Sequence, residues 1–310
     1  MNALLQPARL RAALPVLSLL IVVLPMFYLQ PQTFSYFGIN TLISLAVTIV
    51  LATMAQMCVI TVNDLDLSIG SFVSFVACVG ASVLQQSTVL GIAVLVGCVL
   101  VYCVIGMLIE WRNLPSIVVT LGMSFVWLGL ALLLMPTPGG STPEWLQQLV
   151  QWHMPVIPLP LVAAVVIAVA THFFLMRSAW GTLLRGAGGN GRALARAGWS
   201  LLWARGLMYA LAGVFGVLSG LTLVGFTTSA DANIALRYTM ISIAAVILGG
   251  GEFVGGRISP CGAVIGALTL TLAASLLSFL EISPTWQIGA QGVILIIVLS
   301  LRAVIGRTRA

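Results

Sequence analysis

The chain contains no lysine; all 13 of its basic residues are arginine. That absence excludes a phosphate-binding loop ending in Gly-Lys-Ser/Thr, a Schiff-base lysine and a lysine general base. If ATP powers this molecule, another chain hydrolyses it. Charge of either sign is scarce, at 6% of 310 residues, where a soluble globule carries about 25%. Seven acidic and 13 basic side chains cannot cover a water-facing surface. A disordered chain is excluded as well, because 60% of the residues are hydrophobic. The net charge of +6 comes without a basic run, which argues against nucleic acid as a partner. The five cysteines form no C-x-x-C pair, and His153 and His172 stand apart from any carboxylate cluster. With no H-E-x-x-H and no G-x-S-x-G, neither a metal site nor a catalytic residue is indicated. A polytopic membrane protein remains.

Long uncharged runs are what the chain does have. No charge occurs in 12–63, 67–109, 113–143 or 145–176, and the second half has similar gaps. One crossing takes about 20 apolar residues, so the longer runs each hold two. Gln30-Pro31-Gln32 and Gln85-Gln86-Ser87 divide them. The pattern predicts a single all-α domain of about ten transmembrane helices at 12–30, 40–61, 69–85, 88–109, 115–136, 157–176, 205–226, 236–250, 259–280 and 286–303. The first is expected to remain uncleaved, since its apolar core exceeds that of a signal peptide. The eighth is the weakest: few uncharged residues separate Arg237 from a glycine run. With both termini cytoplasmic, 12 of the 13 arginines fall on the inner side and only Arg237 outside. Gly216 with Gly220, and Gly262 with Gly266, have the G-x-x-x-G spacing of closely packed helices.

Three polar clusters interrupt the apolar text. The first is Asn63, Asp64, Asp66, Ser68 and Gly70, between spans two and three. Two carboxylates do not face lipid, so they lie at the interface, in protein or along a wet path. Asp66 or Ser68 capping span three is one reading, and a place near the transport route is the other. The second cluster is the inner loop 177–204. A Gly-rich turn, Gly186 to Gly191, leads into a short helix with Arg192 and Arg196 on one face. That helix suits either a partner's groove or anionic membrane lipid. The third is a cytoplasmic turn containing Gly249, Gly250, Gly255, Gly256 and Arg257, with Ser259 and Pro260 at the next helix start. The outer loop 137–156 holds a short amphipathic stretch from Thr142 to Trp152, anchored by Trp145 and Trp152.

Together these clusters resemble the permease subunit of ABC sugar importers of the ribose/xylose/arabinose/galactose type. Leu65-Asp66-Leu67-Ser68-Ile69-Gly70-Ser71 looks like that family's G-I-D-L-S-V-G-S stretch. Gly188 or Gly189, Asn190, Ala193, Arg196 and Gly198 follow its G-x-N-x-x-A-A-R-x-x-G loop. Gly249, Gly250, Gly255, Gly256, Arg257, Ser259 and Gly262 follow its G-G-x-x-x-x-G-G-R-G-S-x-x-G signature. Two departures stand out: Asn63-Asp64 where many relatives have glycine, and Gly191-Arg192 where an acidic residue often follows the loop asparagine. The resemblance implies a multi-pass subunit of the bacterial inner membrane that forms a path for a simple sugar or small polar solute. It implies a cytoplasmic ATPase that holds ATP and Mg, a periplasmic binding protein, and a second permease copy, identical or paralogous. Coupling to the ATPase would run through the 189–199 helix. This chain would bind no cofactor. A carrier or channel working alone is the competing reading; ion-coupled carriers place ionisable groups within their spans, which this sequence does not.

Overall fold

The computed structural model describes residues 7–253 and 255–283, with Trp286, Gly289, Gly292, Val293 and Ile296 beyond them. Among the described residues the elements are helical, apart from one isolated bridge between Gly139 and Ala230. Helix α1 covers Pro7–Leu29 and α2 covers Tyr36–Thr61. Then follow α3 (Ile69–Ala81), α4 (Val83–Gln86), α5 (Thr88–Arg112) and α6 (Ser116–Leu134). The short α7 (Glu144–Val150) precedes α8 (Leu159–His172), which runs on through a π-helical turn, Phe173–Arg177. Helices α9 (Ala179–Arg196), α10 (Leu201–Thr227), α11 (Tyr238–Leu248) and α12 (Pro260–Phe279) complete the described set. Among the described residues, seven segments are long and apolar enough to cross a membrane: α2, α3 with α4, α5, α6, α8 with its π turn, α10 and α12.

Serine side chains cap five of the twelve described α-helices. The hydroxyls of Ser35, Ser178 and Ser259 accept backbone N–H bonds from Gly38 (3.1 Å), Gly181 (2.9 Å) and Gly262 (3.2 Å). Ser200 does the same for Trp203, so α10 opens at Leu201, before the expected 205. Ser35 likewise moves the start of α2 ahead of the expected 40. The third span is broken at Ser82, whose φ of −124° and ψ of −73° separate α3 from α4. The expected span 286–303 lies almost wholly outside the described residues.

Helix α2 is the centre of the bundle, buried without interruption from Ala46 to Thr61. Helix α10 lies along α2, α3 and α5, and α12 lies along α1, α2 and α11. Lipid offers apolar side chains no reason to seek each other, so close backbone approach has to hold such a bundle together. Both G-x-x-x-G pairs do this. A Cβ on Gly220 would stand 2.5 Å from the Val76 side chain, and one on Gly266 would stand 2.3 Å from the Ala245 carbonyl oxygen. Helix α11, as the sequence suggests, is short. Its 11 residues rise about 16 Å, roughly half of a 30 Å hydrocarbon layer. It is half a crossing, and protein covers the face that carries Tyr238, Ser242, Ala245 and Leu248, all buried.

Candidate functional site at a three-way polar junction

Asn63 ends α2 in the left-handed region, at φ 64°, a conformation asparagine adopts more readily than other non-glycine residues. Its side chain is thereby turned toward two other segments. Nδ2 donates to the Gly188 carbonyl in α9 (2.6 Å), and Oδ1 accepts from the Gly255 N–H (3.0 Å). One amide therefore joins the three polar clusters that the sequence spreads over almost two hundred positions. Glycine makes the approach possible. A Cβ on Gly188 would stand 1.9 Å from the Thr61 carbonyl oxygen, and one on Gly256, itself at φ 62°, 2.3 Å from that of Arg185.

Behind Asn63 sits a charged layer. Arg205, four residues into α10, reaches Asp64 (Nε to Oδ2, 3.1 Å) and Glu110 of α5 (Nη1 to Oε2, 2.6 Å). The Tyr209 hydroxyl donates to Asp64 at 3.2 Å. Burial pushes the Asp64 carboxyl above the usual carboxylate range; Arg205 and hydrogen bonds from Ser116 and Tyr209 pull the other way. A third layer surrounds Asp66, which is 1% exposed. Its Oδ1 accepts from the Ser68 N–H (2.7 Å) and hydroxyl (2.6 Å), and its Oδ2 accepts from the Tyr102 hydroxyl (3.0 Å). In the orientation that satisfies both of its atoms, the Gln56 amide pairs with the Asp66 backbone at 3.0 and 3.2 Å. Burial raises this carboxyl too, against the bonds from Ser68 and Tyr102.

Of the two caps the sequence offers for α3, Asp66 is the one that accepts a backbone N–H, from Ser68 at 2.7 Å. Ser68 accepts no N–H bond from the helix; its hydroxyl turns back to Asp66. The Gly70 N–H goes to the Thr239 hydroxyl in α11 (3.0 Å), and the Leu67 N–H to that of Thr120 in α6 (3.1 Å). The segment from Asp64 to Gly70 is thus clamped by α5, α6, α10 and α11.

The inner loop also departs from expectation. Gly186 to Gly189 are helical and belong to α9; the only break is at Asn190 (φ −154°, ψ 79°). Neighbouring backbone crowds this stretch at Gly188, which explains glycine there without any turn. Asn190 Oδ1 accepts from the Ala193 N–H (3.0 Å), capping the short helix that follows, and Gly198 closes it at φ 85°. Gly189, Asn190, Ala193, Arg196 and Gly198 are all exposed on this knob. In the third cluster, Gly250, Gly255 and Gly256 have positive φ. The Glu252 N–H donates to the Arg257 carbonyl (2.9 Å), closing a hairpin with Gly249 packed on Gly262. Among the described residues no group of three His, Cys, Asp or Glu could hold a metal.

The sequence alone does not single out Gln56, Tyr102, Glu110, Thr120 or Tyr209 for this site, and Arg205 enters it only as one of the arginines on the inner side. Glu110 and Arg205 carried a signal, since both stand at the edge of an uncharged run and on the same predicted side.

Residues 38–299 match the family described as branched-chain amino acid transport system / permease component. The chain belongs to that family. Among its relatives is the ribose import permease protein RbsC of Bacillus subtilis, 26% identical over 93% of this chain and 91% of the relative. The probable ABC transporter permease protein YphD of Escherichia coli is 28% identical over 81% of this chain and 77% of its own. The D-allose transport system permease protein AlsC of Escherichia coli is 24% identical over 83% and 81%. No solved structure was found to match the chain.

Proposed function

We propose that this protein is the permease subunit of an ATP-binding cassette importer in the bacterial inner membrane, carrying a simple sugar or related small polar solute. About ten helices with both termini cytoplasmic form half of a path completed by a second permease copy. A periplasmic binding protein delivers the solute, and a cytoplasmic ATPase holding ATP and Mg closes on the α9 knob around Asn190, Ala193 and Arg196. The observation that carries this reading is the pair of Asn63 hydrogen bonds, to Gly188 and to Gly255. A push on the exposed end of α9 reaches the α2–α3 and α11–α12 connections at once, because one rigid amide ties them. The two connections adjoin the short helices α3 and α11, whose movement would shift the path. The family membership and the names of the relatives support transport; the absence of lysine supports a separate motor.

The test is reconstitution with the partner ATPase and binding protein. Asn63→Ala removes two hydrogen bonds, each contributing about 1 kcal/mol, so solute uptake should fall roughly tenfold or more while ATP hydrolysis continues. Asn63→Gly, which keeps the left-handed turn, should be impaired as well, separating the bridge from the backbone. Normal coupling in both variants, or uptake by this chain without an ATPase, would overturn the proposal.

A further inference from the structure

A cleft opens between α2, α8 and α10 at the end of the bundle that carries α7. It consists of two adjoining cavities, about 360 Å³ and 280 Å³, which share Val150, Pro160 and Phe226. Their linings differ in kind. The upper cavity is lined by Asn40, Thr41, Ser44, Gln151, Trp152 and His153. The lower one is lined by Val47, Leu51, Ala163, Ile167, Leu218 and Thr222.

The change follows the helix period. On α2, positions 40, 44, 47 and 51 share one face, and along it the residues pass from Asn and Ser to Val and Leu. On α8 the face is Leu159, Ala163 and Ile167, and on α10 it is Leu218, Thr222 and Phe226. Even Thr222 presents little polarity, since its hydroxyl donates to the Leu218 carbonyl of its own helix (2.7 Å). From residue 40 to residue 51 the α2 helix rises about 16 Å, which matches one leaflet of a hydrocarbon layer about 30 Å thick. The mouth is built into the fold. Gln151 Nε2 donates to the Gly225 carbonyl at the end of α10 (2.8 Å), and the Tyr36 hydroxyl donates to the Met154 carbonyl.

We propose that this cleft holds one phospholipid of the leaflet on the α7 side, its headgroup at Trp152 and His153 and one acyl chain along Val47, Ala163 and Leu218. A hydroxylated solute is the wrong occupant, because the lower half would strand its hydroxyls without partners. An amphiphile is matched in polarity along the whole depth, and the Trp152 indole sits at the level where such rings meet headgroups. The site lies at the end of the bundle away from the Asn63 junction, and it is independent of the transport reading.

The experiment places the full chain in nanodiscs with a phosphatidylethanolamine probe carrying a diazirine on its acyl chain, followed by mapping of the cross-linked residues. Labelling should be about tenfold stronger on the cleft faces, at Leu218 and Ile167, than on the outward face of α6 at Phe125, which lipid merely bathes. Ala163→Trp should abolish the enrichment and leave Phe125 unchanged. Because a bulky residue at 163 can disturb folding, Trp152→Ala at the exposed mouth is the second variant, expected to lower cleft labelling severalfold. Uniform labelling of all outward faces would overturn the proposal, as would enrichment untouched by both variants. Loss of labelling when a simple sugar is added at saturation would also overturn it, marking the cleft as a solute route.

Discussion

Arg205 serves two carboxylates, and that sets an order among substitutions. Arg205→Met leaves Asp64 and Glu110 near each other without a cation, and breaking such a pair from one side typically costs about 3 kcal/mol. Asp64→Asn leaves the Arg205–Glu110 pair intact and should cost less than about 1 kcal/mol. Thermal unfolding in nanodiscs ranks the two; equal losses would mean that Arg205 does not hold this layer together. The buried Asp66 makes a prediction about pH. Its carboxyl is raised in the folded chain, so the contribution is present at low pH and lost as pH rises through the folded value. Asp66→Asn keeps an acceptor for the Ser68 donors and carries no charge. Its melting temperature should therefore gain on wild type as pH climbs from the ordinary aspartate range, about 3.9, toward neutrality. A gap that stays constant with pH would sink the buried-carboxyl account. At this scale the sequence shows half of each interaction. Asp64 and Asp66 stand out because polar residues are rare here, whereas Tyr102 and Tyr209 read as ordinary core aromatics. No local spacing links Asp64 to a tyrosine 145 positions away.

At the scale of the element, most helices are legible from uncharged length, and their starts are sharpened by serine caps that a count of hydrophobic residues overlooks. The glycine run of the inner loop misleads for a physical reason. Glycine marks a turn when the backbone needs positive φ, but it serves equally where another chain segment presses on a helix, and Gly188 is of the second kind. The same distinction orders the glycines of the spans. Gly262→Ala and Gly266→Ala put a methyl group 1.9 and 2.3 Å from the carbonyl oxygens of Gly249 and Ala245, so each should destabilise by about 1–3 kcal/mol. Gly97→Ala on α5 meets nothing within 4 Å and should be neutral or gain up to about 1 kcal/mol in helix propensity. Unfolding of the three variants in detergent is the measurement. A Gly266→Ala variant as stable as Gly97→Ala would show that α11 and α12 are not in tight contact.

For the whole molecule, the contacts fix which connections share an end, and the arginines indicate which end is inside. Asn63 holds Gly188 and Gly255 together, so the α2–α3, α9 and α11–α12 connections lie on one side. The Gly139–Ala230 bridge and the Ser141 N–H bond to the Ala81 carbonyl (3.0 Å) gather the α3, α7 and α10 ends on the other. Arg177, Arg185, Arg192, Arg196 and Arg257 all belong to the first side, which the positive-inside rule predicts to be cytoplasmic. Compartment-sensitive reporters test the two statements separately. Fusions after Gly191 and after Glu252 should report the cytoplasm, and a fusion after Gln147 the periplasm. If all three reverse together, the packing stands and the charge argument fails. If Gly191 and Gln147 report the same compartment, α8 does not cross, and the bundle with its Asn63 junction has to be abandoned.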